Sequence, residues 1–134
     1  PRWEGQQLDG QTLLLTAEQG LGDSVQFIRY APLAKARGAK VVFDCPDVLA
    51  SLVATCPGID QLFPRNNGQP GPVYNYHIPL LSLPGLFGVP PEAATAQIPY
   101  FTPDPERVEH WRKELEAVPG LQVRIAWQGS TIHK

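Results

Sequence analysis

Two rhythms of apolar and polar positions alternate along this 134-residue chain. Residues 11–17 and 40–45 are apolar almost throughout and read as strands buried on both faces. Between them, Val25, Phe27, Ile28, Ala31 and Leu33 recur at helical spacing, which predicts an amphipathic helix over 23–37. Asp23 reads as its N-cap, and Gln26 three positions on completes a capping box. Pro32 interrupts this helix and should cost it the bond to the Ile28 carbonyl, so a kink or two short helices in tandem are expected. Gly38 reads as the C′ residue that ends it.

The same alternation continues downstream. Pro46 and Asp47 open a second helix with Val48, Leu49, Leu52 and Val53 turned inward, and Pro57-Gly58 closes it. Residues 59–63 form a short third strand, 66–72 a polar loop, and 73–78 a fourth strand. Residues 79–87 read as an irregular helix and 88–103 as a surface wrap. Asp104-Pro105-Glu106 is a strong helix start, with Val108, Trp111, Leu115 and Val118 on one face and Trp111 as a core anchor. A last strand is expected over 121–127. The first ten residues form a leader whose Trp3 and Leu8 can dock on the body. Strands alternating with helices at these spacings mean parallel βαβ units with right-handed crossovers. The fold class is therefore α/β, a three-layer Rossmann-like domain with a mainly parallel sheet.

Composition narrows the possibilities. The formal net charge of −2, with no basic block, gives no reason to expect nucleic acid or a membrane surface as partner. No apolar run approaches the length of a membrane span, and the N-terminus lacks the apolar stretch of a signal peptide. Cys45 and Cys56, the only cysteines, are too isolated for a metal motif and read as reduced core thiols of a cytoplasmic protein. The missing Met at position 1 and the end at Ile132-His133-Lys134, just after a strand-like run, suggest a piece of a longer protein.

The candidate chemistry lies in Gly20-Leu21-Gly22-Asp23, at the carboxyl end of the first strand. That is where open α/β sheets bind ligands, and Gly20 and Gly22 would let a substrate approach the backbone. The third glycine of a dinucleotide fingerprint is absent, since Val25 stands there, and so is the Lys-Ser/Thr of a phosphate loop. Asp23 then has two readings, a structural N-cap or a general base acting on a hydroxyl. Glu18 and Gln19 can hydrogen-bond a polyol or simply be solvated. His77, near the end of the fourth strand, is a candidate pocket residue at the same sheet edge or a satisfied histidine; Arg29 can pair with a phosphate or an acidic neighbour but reads first as a solvated helix position, as does His110.

The run from Leu13 to Leu33, with the Ala17–Asp23 motif at its centre, resembles the glycosyltransferase-like domain that follows tetratricopeptide repeats in many bacterial proteins. That domain is similar to the ADP-heptose transferases of glycosyltransferase family 9. The resemblance continues at Ala36-Arg37-Gly38, Pro57-Gly58-Ile59-Asp60, Leu80-Leu81-Ser82-Leu83-Pro84, Ile98-Pro99-Tyr100 and Val123 to Gly129. It implies the two-domain GT-B architecture, with residues 1–118 as the N-terminal, acceptor-side half and 119–134 as the truncated start of the C-terminal, donor-side half. It further implies a nucleotide-sugar donor, no cofactor, no obligatory metal, and a sugar or protein acceptor. Asp23 takes the position of the proposed general base, and Pro32 matches a family proline. Asn75 stands where relatives often carry Asp, and Ser130, His133 and Lys134 fall in a loop that leads toward nucleotide-phosphate contacts. The tetratricopeptide-repeat region and the donor domain would be partners within the same protein, and an exposed interface on the isolated half could drive self-association. The fragment alone would be inactive. A non-catalytic Rossmann-like interaction module beside the repeats is the rival expectation, and a small-nucleotide binder a third.

Overall fold

Leu13, Leu15, Val41, Phe43 and Ile78 are all buried and share one face of a parallel sheet. The computed structural model describes residues 1–18, 20–65, 71–89, 98–123 and 125. The sheet has four strands, β1 (Thr12–Thr16), β2 (Lys40–Cys45), β3 (Gln61–Pro64) and β4 (Tyr76–Pro79), all parallel in the order β3-β2-β1-β4. Helices flank it, giving the α/β arrangement of a Rossmann-like three-layer fold. The chain divides into two units, residues 1–102 and 103–134.

The helix after β1 is split, as Pro32 requires. It runs as α1 (Leu21–Phe27), a 3-10 turn (Ile28–Tyr30) and α2 (Ala31–Lys35), with Pro32 in the first turn of α2, where its missing N–H costs no bond. The break leaves the Ile28 carbonyl to accept from the Ala31 N–H. Gly58, in the turn before β3, packs against the same break: a Cβ there would lie 2.5 Å from the Pro32 nitrogen, and its φ of +86° favours glycine.

Four expectations need correction. The second helix is a 3-10 turn (Asp47–Leu49) followed by α3 (Ala50–Val53). That change of pitch buries Leu49 and Val53 but turns Val48 and Leu52 outward. The fourth strand starts at Tyr76 rather than Val73, because Asn75 spends both its main-chain and side-chain groups on Thr12 and Val73 is left exposed. After β4 come a 3-10 turn (Leu80–Ser82) and α4 (Leu83–Phe87), which Gly88 ends in the left-handed conformation. The helix α5 (Pro105–Glu116) begins as expected, with the Asp104 side chain accepting from the N–H groups of Glu106 and Arg107. Trp111 on it is half exposed, however, and no residue of α5 is buried, so the core-anchor reading fails. Finally, the described part of 121–127 carries no strand and exposes Leu121, Val123 and Ile125; Arg124, Ala126 and Trp127 lie outside the described residues.

The leader docks as its two apolar residues predict. Pro1 to Trp3 pairs with the outer side of β4 through the main chain of His77, Trp3 packs edge-on to Phe87, and Leu8 is buried with its N–H on the Arg37 carbonyl. Burying a side chain the size of Trp3 stabilises a domain by several kcal/mol, on the order of 3–5.

Candidate functional site

β2 and β3 extend the sheet on one side of β1, and β4 lies on the other, so the topological switch point falls between β1 and β4. Ligands of open α/β sheets bind outside the carboxyl ends of the strands at such a point. Glu18 and Gly20 follow β1 there, and the Leu80–Ser82 turn follows β4.

The N-cap of α1 lies three residues earlier than the capping pattern predicts. Gly20, with an extended backbone, is its N-cap, and the Gly20 carbonyl accepts from the Ser24 N–H at 3.3 Å. Leu21 and Gly22 take helical conformation, which moves Asp23 from the cap into the first turn, and no side chain caps the helix. The Asp23–Gln26 capping box therefore does not form. Asp23 is half buried, and its carboxylate turns back toward the loop: a Cβ on Gly20 would lie 3.9 Å from Oδ2. Among the described residues, no hydrogen bond or ion pair engages that carboxylate. A Cβ on Gly22 would meet nothing within 4 Å, so the loop faces open space.

The other acidic groups of this edge are committed. Glu18 Oε2 accepts from the Leu81 N–H at 3.3 Å and so ties the exit of β1 to the turn after β4. Asp44, near the end of β2, takes Arg65 Nε at 3.0 Å on both oxygens. Arg65 also donates through Nη2 to the Ala17 carbonyl and through its main chain to the Cys45 carbonyl. Sequence reasoning missed this pair. Its only signal was a lone acid near the end of an apolar strand and a lone base just after the next one.

Gln19 lies outside the described residues, as do Ser130, His133 and Lys134. His77 does not reach the edge: it pairs in register with Leu14, at the middle of β1, with the Tyr74 ring edge-on at 6.0 Å. Arg29 is not a solvated position either. Its Nη2 donates to the Tyr100 hydroxyl at 3.0 Å, its Nε to the Gln26 carbonyl, and the guanidinium stacks over the Tyr100 ring. His110 is exposed against Trp111.

Cys45 and Cys56 are free and buried. Burial, reinforced by the Asp44 and Asp47 charges and opposed by Arg65, pushes the Cys45 thiol up to about 11. Burial does the same to Cys56. Neither supplies a thiolate nucleophile at neutral pH. Among the described residues, no group of three or more His, Cys, Asp or Glu could hold a metal ion, and no helix is long and apolar enough to cross a membrane.

No family model matches the chain, and no solved structure matches it. Among curated proteins it is similar to Protein FlbA of Caulobacter vibrioides, 31% identical over 153 aligned residues that cover 95% of this chain. The chain spans about a quarter, 24%, of that relative's length.

Proposed function

We propose that this chain is the acceptor-side half of a nucleotide-sugar-dependent glycosyltransferase with Asp23 as its general base. One observation carries the reading. Beside the switch point, where Glu18 and Asp44 are spent on holding the protein, Asp23 keeps its carboxylate unengaged among the described residues. In the reaction, Asp23 accepts the proton of an acceptor hydroxyl as that oxygen forms a bond to the anomeric carbon. The bond from that carbon to the nucleotide phosphate breaks, and the nucleotide leaves with the electron pair. Gly20 and Gly22 give the acceptor, a sugar or a protein hydroxyl, room at the backbone. The donor contacts would come from a C-terminal domain of the full-length cytoplasmic protein, with repeats preceding this domain.

The test is Asp23→Asn in the full-length protein, assayed with a panel of radiolabelled ADP- and UDP-sugars. Loss of a general base should lower kcat on the order of 10²–10⁴-fold with no loss of thermal stability. Unchanged turnover, or a full-length protein that transfers no sugar, supports a non-catalytic interaction module instead.

A further inference from the structure

We propose that Arg65 is the positioning residue of the Asp23 loop, acting from the opposite flank of the sheet. β3 is the edge strand on the β2 side, two strand spacings from β1, or roughly 10 Å. The side chain of Arg65 covers that distance. Its main-chain N–H takes the Cys45 carbonyl and its Nε both Asp44 oxygens, and its Nη2 takes the Ala17 carbonyl. One residue thus joins the carboxyl ends of three strands.

Ala17 is the significant partner. It is the buried residue at which the chain leaves β1, and its N–H already reaches the Asp44 carbonyl at 3.4 Å. With Arg65 on its carbonyl, both of its main-chain groups are held from the β2 side. On the β4 side, Glu18 holds the Leu81 N–H. The exit of the strand is therefore pinned from both neighbours before the chain reaches Gly20. Asp44 neutralises the guanidinium, so the tie adds no net charge beside Asp23. A planar guanidinium can serve the two acceptors at once, whereas an ammonium is a single point on a flexible stem.

This inference rests on the reading of Asp23 as the base, but its test needs no substrate. Amide hydrogen exchange is measured on the full-length protein for Arg65→Gln and Arg65→Lys. In Arg65→Gln, exchange at residues 24–27, the first N–H groups that α1 bonds internally, should accelerate more than about tenfold, while residues 13–15 and 41–43 keep their protection. The melting temperature should hold within about 2 °C, because the side chain is 39% exposed. Arg65→Lys should fall between the variant and the natural protein. Unchanged exchange at 24–27 overturns the positioning role. So does exchange that rises equally in β1 and β2, which would make Arg65 a general support of the sheet. Unchanged turnover in Asp23→Asn, by contrast, overturns the base and leaves the exchange result to be read by itself.

Discussion

The two edges of the same sheet use their polar side chains in opposite ways. At the amino edge, Asp60 and Asn75 are both spent on holding the protein. Asp60 takes the Val41 N–H at 2.7 Å and the Lys35 ammonium at 2.6 Å, and Asn75 takes the Thr12 N–H at 2.8 Å. At the carboxyl edge, Asp44 and Glu18 are spent in the same manner, yet the acid beside them is not. The difference follows from how the chain arrives and leaves. At the amino edge it enters the strands through tight turns, with Gly38 and Gly58 at positive φ and touching neighbouring backbone. Polar groups there must close bonds that the turns leave open. At the carboxyl edge the chain leaves β1 into a loop open to solvent, and a half-exposed carboxylate can stay solvated at little cost. Binding and chemistry can use only groups that the fold has not already used. Amino-edge substitutions should therefore cost stability, and substitution of the uncommitted carboxyl-edge acid, Asp23, should cost turnover.

The largest loss of stability should come at the amino edge, in the turn that delivers Asp60. Gly58→Ala puts a Cβ 2.5 Å from the Pro32 nitrogen and 2.7 Å from the Ala31 carbonyl carbon, on a residue with φ of +86°. Left-handed strain and overpacking together should cost about 3 kcal/mol. Urea unfolding measures it, and a loss under about 1 kcal/mol would mean that this turn yields freely and the amino edge is less constrained than its contacts imply.

Why one edge was legible in sequence and the other only partly is a matter of range. Strand positions followed from local runs such as Leu13-Leu14-Leu15, and the split helix followed from a single residue, Pro32. The loop of Asp23 was visible because its glycines and acid are adjacent in sequence. Its cap was misjudged because Gly20 can itself take the extended cap conformation, which hands the first turn to Leu21 and Gly22. Val48 and Leu52 were misplaced because a 3-10 turn shifts the phase of the residues after it, which a 3.6-residue period ignores. Arg65 was out of reach for a different reason: its partners Asp44 and Ala17 lie 21 and 48 residues away, and only the strand order brings them together.

Asp60 offers a sharper version of the comparison, because pH can switch it. Burial acts to raise its carboxyl. The Lys35 hydrogen bond, the Val41 N–H and the charges of Lys35 and Lys40 outweigh that, so the carboxyl sits below its ordinary value of 3.8. A carboxyl lowered on folding stabilises the protein at pH above its unfolded value, and that contribution is lost as pH falls through the folded value. Asp60→Ala, which also leaves the Val41 N–H without its side-chain acceptor, should cost about 2 kcal/mol at pH 7. The gap between variant and natural protein should close as the pH drops below about 4. Denaturation at pH 7 and pH 3 tests both; a gap of equal size at the two values would show that the ionised carboxylate is not what holds this edge.

The smallest expected effect is the most direct test of where the two edges part. Glu18 lies closer to β1 than Asp23 does, and either acid could in principle take a proton. If Glu18 serves only as a tie, its charge is dispensable and its oxygen is not. Glu18→Gln retains a carbonyl oxygen for the Leu81 N–H, so stability should change by less than about 0.5 kcal/mol. Turnover of the full-length protein should also stay within about twofold of the natural protein, in contrast to the loss expected for Asp23→Asn. An amide cannot act as a base. A Glu18→Gln variant that loses turnover as Asp23→Asn does, with its melting temperature intact, would therefore move the proton transfer to Glu18. Asp23 would then be an uncommitted first-turn acid, and the acid that ties β1 to the turn after β4 would also be the one that does chemistry.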